Sequence, residues 1–336
     1  MNPTSLTLSP YVQNIVDQTG LEVVSIVRYG PRYACLQVVK ADEQGFLKIA
    51  LPTYEQELFR EPHYHWTEHD LPTHLDARLV KEAMVLDHLS APPNGPHTAM
   101  KMLGLNTDPP VWSMRTFLTH SSMSLNGSDF AFSPHFYEQV SASRLFGYFK
   151  AIHDLAPATP KPLYQYFVYY GVHDYVEMLF SRIAHQAQEM PAYLEQLDVI
   201  KRRFTLMANQ PGPRPVMAHG EAYPPHFYDV EGELLLIDWE NATWNNRHAD
   251  LAAVYIRAFP HPDWQAALVD TMTQAGYMDE QGIAEWHVEL LAQCFANHEY
   301  FRNYGPIVDA SYQALGLAYF EKTINDILRT DAITNA

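Results

Sequence analysis

The stretch 216–252, VMAHGEAYPPHFYDVEGELLLIDWENATWNNRHADLA, decides how the rest of this chain is read. His219, Glu221 and His226 share one loop, which is punctuated by Gly220 and two prolines. The apolar run Leu234, Leu235, Leu236, Ile237 reads as a buried strand, and Asp238 emerges at its end with Glu240 close behind. General-base and cation-binding groups are therefore concentrated in one short part of the sequence.

Upstream of this stretch, apolar runs at 21–27 (LEVVSIV), 33–39 (YACLQVV) and 45–51 (GFLKIAL) are separated by turn formers around Gly30, Pro31, Asp42 and Gly45. They predict three antiparallel strands. Val80, Ala83, Met84, Leu86 and Leu89 recur at helical spacing and predict a helix over 79–89. Apolar runs at 99–105 and 111–118 predict two more strands, giving a five-stranded antiparallel sheet with one helix. The polar, turn-rich stretch 119–133 (THSSMSLNGSDFAFS) then marks a boundary, so residues 1–118 and 119–336 are expected to form two lobes. Past it, Leu145, Phe146, Phe149, Ile152 and Leu155 predict a helix that the prolines of 157–162 end. Further helices are expected over 175–190, over 192–208 and in several pieces from Leu251 onward. The fold class is α+β, with the strands first and the helices after.

At 336 residues, with 47% hydrophobic and 13% aromatic content, the chain can bury a core in each of two lobes. A net charge of −17 argues against nucleic acid as a partner, because phosphate-backbone binding relies on Lys and Arg. Such a surface would attract a cationic small molecule, although acidity also simply keeps a protein soluble. Cys35 and Cys294 are the only cysteines, and there is neither a basic, apolar leader nor a bilayer-length apolar stretch. A reduced, cytoplasmic protein with no membrane partner is expected, in which both cysteines pack and the Asn126-Gly127-Ser128 sequon carries no glycan. Residues 61–70 (EPHYHWTEHD) gather His63, His65, Glu68 and His69, but their spacing matches no structural-zinc pattern, and an insertion is the better account. No GxxxxGK[ST] loop occurs, and the turn VRYGPRYA offers one glycine, Gly30, where phosphate-covering loops generally use several.

The block 216–252 resembles the active-site block of the aminoglycoside phosphotransferase and choline kinase superfamily, a branch of the protein-kinase-like fold. His219, Gly220 and Glu221 stand where that family has His-Gly-Asp, and His226 stands where it has Asn. Asp238 matches its strand-ending Asp, and Asp250, Leu251 and Ala252 match the Asp-Leu-Ala that opens its next helix. Lys48 resembles the family's nucleotide-phosphate lysine and Glu82 the glutamate that pairs with it, while 145–155 (LFGYFKAIHDL) resembles the first long helix of the C-lobe. The resemblance implies a two-lobe protein-kinase-like fold and transfer of a phosphoryl group from ATP, with Mg²⁺ or Mn²⁺, to a hydroxyl of a small molecule. Aminoglycoside-like, amino-alcohol-like and sugar-like acceptors all stay open. So does GTP, a choice that depends on backbone contacts near 114–118.

The same resemblance implies roles for residues: Glu221 as catalytic base, Lys48 with Glu82 as phosphate anchor, and His226, Asp238 and Glu240 as metal ligands. His219 and Asp250 would brace the loop. Each has an ordinary alternative, a solvated strand lysine for Lys48 and a turn cap for Asp238. Glu221 carries one methylene more than the family's Asp, and the imidazole of His226 suits Mn²⁺ better than Mg²⁺ if it holds a metal at all. These departures motivate a rival reading, a pseudokinase that binds nucleotide or serves as a scaffold without transfer. A third reading is transfer of the nucleotidyl part of ATP. Trp264, Trp286, Tyr300, Phe301 and Tyr304, with Glu299 and Asp309, could line a pocket for a cationic acceptor, although aromatic residues at helical spacing more often form core.

Overall fold

The computed structural model describes residues 8–30, 32–52, 72–91, 96–97, 100–155, 172–208, 216–303 and 309–334. The expectations for residues 61–70, for the prolines of 157–162 and for Tyr304 lie outside them. In chain order the elements begin α1 (Pro10–Thr19), β1 (Glu22–Tyr29), β2 (Tyr33–Lys40), β3 (Glu43–Ala50), α2 (Pro72–Ser90), β4 (Met102–Asn106) and β5 (Trp112–Thr116). Among the described residues there follow the α-helices α3 (Pro134–Gln139), α4 (Ala142–Asp154), α5 (Val172–Gln186), α6 (Pro191–Leu194) and α7 (Leu197–Ala208). The decisive stretch contributes β6 (Val216–Ala218), β7 (Phe227–Val230), β8 (Glu233–Leu236) and β9 (Thr243–Asn245). The chain ends in α8 (Ala249–Arg257), α9 (Pro262–Gln274), α10 (Glu280–Asn303) and α11 (Ala310–Thr334). Contacts divide the chain into two units, the first holding the described residues of Met1–Ser121 and Val230–Ala242, the second those of Ser122–Ala158, Phe167–Asp229 and Thr243–Ala336.

The first unit is built on a five-stranded antiparallel sheet in the order β1-β2-β3-β5-β4. Side chains alternate across a strand, and the sequence uses that period to make two apolar layers. Ala34, Leu36 and Val38 of β2 and Leu47 and Ile49 of β3 pack with Val12, Ile15 and Val16 of α1. The intervening Tyr33, Cys35 and Ala50 pack with Leu75, Leu79 and Val80 of α2. Lys48 is in register with Cys35, so it belongs to the α2 side. Helix α1 was not anticipated from the sequence, although its signals are local ones. Ser9 caps it by accepting from the Val12 amide, Pro10 opens it, and Gly20 closes it at φ 66°. Between β2 and β3 the pairing of Lys40 with Glu43 leaves a two-residue turn in which Ala41 (φ 49°) and Asp42 (φ 71°) are both left-handed.

The second unit is mainly helical. Leu145, Phe146, Phe149 and Ile152 form the buried stripe of α4, and Ser141 caps it by accepting from the Arg144 amide. The helix expected over 175–190 is α5, which tightens into a 3₁₀ turn at Ala187–Glu189, whereas the one expected over 192–208 is interrupted. Pro191 has no amide hydrogen to continue a helix and instead opens α6, and a further break at 195–196 separates α6 from α7. Strand β6 pairs with β9, which brackets the loop between 218 and 227. Aromatic rings fill the interior: Phe130 meets Phe301 edge-on at 4.3 Å, and Phe301 meets Phe320 at 5.2 Å. Trp286 and Phe301 are buried in this core, which is the ordinary reading of those aromatics. Among the described residues, no helix is long and apolar enough to cross a membrane.

Candidate active site

In the first unit, four residues from three separate parts of the sequence meet. The Lys48 ammonium donates to Glu82 Oε2 at 2.7 Å, to Asp238 Oδ1 at 3.0 Å and to Glu240 Oε2 at 3.0 Å, with the Tyr33 ring face 4.4 Å away. The alternation of β3 puts Lys48 on the α2 side, where Glu82 lies. Asp238 and Glu240 arrive by a sharp turn. Just after β8, Asp238 takes a left-handed backbone (φ 69°), a conformation that Asp tolerates better than most residues. Trp239 is fully buried and donates from its indole to the Leu236 carbonyl, and Lys81 of α2 reaches the Ala242 carbonyl at 2.9 Å. The turn is thereby tied to the helix that carries Glu82.

Burial by itself would depress the Lys48 pKa, but Asp238, Glu82 and Glu240 together outweigh it and hold the pKa well above the ordinary lysine value. The Glu82 pKa moves up, since burial exceeds the opposing pull of Lys48. Glu82 and Glu240 are almost wholly enclosed, whereas the Asp238 side chain keeps 36% of its surface exposed. Ligand atoms of Glu82, Asp238 and Glu240 lie within 4.8 Å of one another. Closely spaced hard carboxylate oxygens, one set accessible, are a donor set that fits Mg²⁺ or Mn²⁺. Arg78, one helical turn before Glu82, adds a second cation at 3.6 Å from Glu240 Oε1. Sequence reasoning passed over it, and its only signal was the four-residue spacing from Glu82.

The second unit holds the loop with His219, Glu221 and His226. Gly220 takes φ 84°, which a side chain would disfavour. Asp250, in the first turn of α8, is buried and accepts both the His219 amide (2.7 Å) and the Gly220 amide (3.0 Å). Burial raises its pKa to about 6, against the lowering effect of those two hydrogen bonds. The Glu221 amide donates to His219 Nδ1 at 3.1 Å, so in the neutral ring the His219 proton sits on Nε2. The Glu221 carbonyl accepts from the Tyr223 amide at 2.7 Å and faces His226 Nδ1 at 2.8 Å. A carbonyl only accepts, so His226 Nδ1 carries hydrogen, and the lone pair of the neutral ring is on Nε2. Both backbone polar atoms of Glu221 are thus held by its own neighbours.

The expected residues accordingly fall into two groups. Lys48, Glu82, Asp238 and Glu240 come together in the first unit, and His219, Glu221, His226 and Asp250 come together in the second. Tyr223 and Arg257 were not singled out from sequence. The Arg257 guanidinium lies 4.1 Å over the Tyr223 ring. Trp264 donates its indole N–H to the Val140 carbonyl, and Glu299 accepts from Gln186, so both are engaged in bonds that tie distant segments of the second unit together.

The profile of the phosphotransferase enzyme family matches residues 69–287. Among solved structures, a macrolide 2′-phosphotransferase type I is similar at 15% identity and TM-score 0.56, over 94% of this chain and 99% of its own. The GDP complex of wild-type aminoglycoside 2′-phosphotransferase-IIIa is similar at 13% identity and TM-score 0.55, over 94% of this chain and 98% of its own. A choline/ethanolamine kinase family protein from Mesorhizobium loti follows at 12% identity and TM-score 0.53, over 92% and 91%. No curated protein sequence matches. At such identities the structural likeness speaks for the fold alone, and it is the α+β, protein-kinase-like fold expected from the sequence.

Proposed function

Since the chain belongs to the phosphotransferase enzyme family, we propose that it is a phosphotransferase that uses ATP or GTP and a divalent metal to phosphorylate a hydroxyl of a small molecule. The observation that carries this reading is the meeting of Lys48 with Glu82, Asp238 and Glu240. Phosphoryl transfer asks a protein mainly to position its reactants and to neutralise developing charge. Lys48, held by Glu82, anchors the nucleotide phosphates. Asp238 and Glu240 would hold the metal in the first unit; His226 is a candidate metal ligand only through the family resemblance. When bound, the metal neutralises charge on the phosphate oxygens. Glu221 accepts the acceptor's hydroxyl proton as the oxygen forms its bond to the terminal phosphorus and the bond to the departing nucleoside diphosphate breaks. His219 and Asp250 brace the loop. In this reading the lobe of residues 1–118 serves the nucleotide and that of 119–336 supplies the catalytic loop, the metal ligands and the acceptor pocket. Aminoglycoside-, amino-alcohol- and sugar-like hydroxyls are the acceptor classes, and the −17 charge favours a cationic one.

The test is calorimetry with ATP and with GTP, each with Mg²⁺, with Mn²⁺ and with chelator, followed by an acceptor screen read by mass. Metal-dependent binding that Asp238→Ala abolishes, with one phosphoryl group gained by an acceptor, is the expected result. Absence of nucleotide binding in every condition would sink the proposal. Binding without transfer, rescued by Glu221→Asp with His226→Asn, would instead establish the pseudokinase reading that those two residues motivate. A product heavier by a nucleotidyl group would establish nucleotidyl transfer.

A further inference from the structure

Arg257 has 4% of its surface exposed, and none of the described carboxylates forms an ion pair with it. Its Nη1 donates to the Ala253 carbonyl at 2.8 Å and its Nε to the Asp129 carbonyl at 3.5 Å. The guanidinium lies over two aromatic rings, Tyr223 at 4.1 Å and Phe130 at 5.1 Å. Burial depresses the Arg257 pKa and outweighs the favourable influence of Tyr223 and Asp129, so the charge is held there at a cost that an apolar side chain of similar length would not incur. What the guanidinium adds is a directional hold on a ring face.

That ring belongs to the loop already described. The Tyr223 amide donates to the Glu221 carbonyl at 2.7 Å, and the Tyr223 ring stacks near-parallel on His226 at 6.1 Å between centroids. His226 Nδ1 is bonded to the same carbonyl. Arg257 follows Asp250 by seven residues in α8, so both lie on one helix face two turns apart.

We propose that Arg257 is a positioning residue for the loop at 219–226: α8 grips that loop twice, through Asp250 at the His219 and Gly220 amides and through Arg257 at the Tyr223 ring. Its importance for catalysis rests on the reading of this loop as the phosphoryl-transfer loop. The second grip sets the Tyr223 ring and the ring sets His226, whose Nδ1 shares the Glu221 carbonyl with the Tyr223 backbone amide. A guanidinium that only completes the C-terminal end of α8, as its bond to Ala253 would allow, has no reason to influence His226.

Arg257→Met, Tyr223→Leu and the double variant separate these roles by two readouts. One is the tautomer of His226, followed by ¹⁵N-histidine NMR and assigned by the signal lost in His226→Gln. The other is kcat and nucleotide KM in the transfer assay. The wild type is expected to show His226 protonated on Nδ1, and each single variant to populate the Nε2–H form. The kcat is expected to fall on the order of 10- to 100-fold, as for a catalytic group displaced by about an ångström, with nucleotide KM unchanged. The double variant should be no worse than the worse single, because both act along one chain of contacts. An unchanged tautomer in Arg257→Met and Tyr223→Leu, or additive losses in the double variant, would overturn the proposal. If Arg257→Met does not fold, Arg257→Lys, which keeps the charge but loses the planar guanidinium, takes its place under the same two readouts. A wild type that transfers no phosphate defeats the phosphotransferase reading, while the tautomer still decides the role of Arg257.

Discussion

Lys48 is compensated by more negative charge than it carries, and removing it should therefore be worse than removing any one of its partners. Lys48→Met leaves three carboxylates together, two of them enclosed, and is expected to cost about 3–5 kcal/mol of stability in chelator-containing buffer. Adding Glu82→Gln to that variant should restore part of the loss, because one uncompensated charge goes. Urea unfolding of the two singles and the double gives the coupling, and additive losses would show that the two side chains do not depend on each other. Asp250 gives a prediction in pH. Its folded-state pKa is raised from 3.8 to about 6, so its contribution to stability is fully present below the lower value and is lost as pH rises through the higher. Asp250→Asn cannot ionise and offers one acceptor oxygen to two amides, at a cost of about 1–3 kcal/mol. Its deficit against the wild type should narrow between about pH 4 and about pH 6.5, and a deficit constant over that range would show that Asp250 does not titrate there. Lys48, Glu82, Asp238 and Asp250 were legible because their surroundings resemble the family's motifs, while strand and helix patterns placed the first three on their elements. Arg78, Tyr223 and Arg257 were not, because an ion pair, a ring face and a buried cation leave no mark on periodicity.

Elements were legible where burial followed a period. Strands β2 and β3 alternate between two apolar layers, and α4 shows an unbroken stripe. Helix α1 was missed although Ser9, Pro10 and Gly20 frame it, because the reading began from apolar runs and its buried face is only Val12, Ile15 and Val16. Edge strand β1 was read as regular, whereas its register shifts between Val23 and Ser25 and again between Ile26 and Arg28. Val24 and Val27 sit at those shifts and are half exposed, so bulges turn apolar residues outward that a simple alternation would have placed differently. The β2–β3 turn supplies the prediction at this scale. A left-handed backbone costs a non-glycine residue roughly 1 kcal/mol, so Asp42→Gly is expected to stabilise the protein by about that amount. Thermal unfolding measures it, and a fall in midpoint would mean that the Asp42 side chain contributes more than its backbone costs.

Over the whole chain, although the short strands β6 to β9 return after α7, a first part dominated by strands and a second dominated by helices were plain from pattern. The grouping of segments was not. Val230–Ala242 clusters with residues more than a hundred positions earlier, and its side chains reach Lys48 across separations of 190 and 192 residues. Local propensity carries no information about such pairings. The net charge of −17 is a property of the entire sequence and has an effect of its own. Self-repulsion of that size works against the folded state, and salt screens it over a Debye length that shrinks to about 8 Å near physiological ionic strength. The unfolding midpoint is therefore expected to rise as sodium chloride is raised from low concentration towards about 0.15 M. An unchanged midpoint would show that the acidic groups are already compensated locally.

The enclosure of Lys48 also decides how it meets reagents. Amine-acylating esters attack the unprotonated form of a lysine, and Lys48 is kept protonated by three carboxylates and kept from solvent by burial. In a mass-spectrometric map of acylated lysines it should stay blank while the carboxylates hold it. A ligand that draws Asp238 and Glu240 away would expose it to labelling, so the modification state of one residue becomes a tracer for occupancy of the cluster.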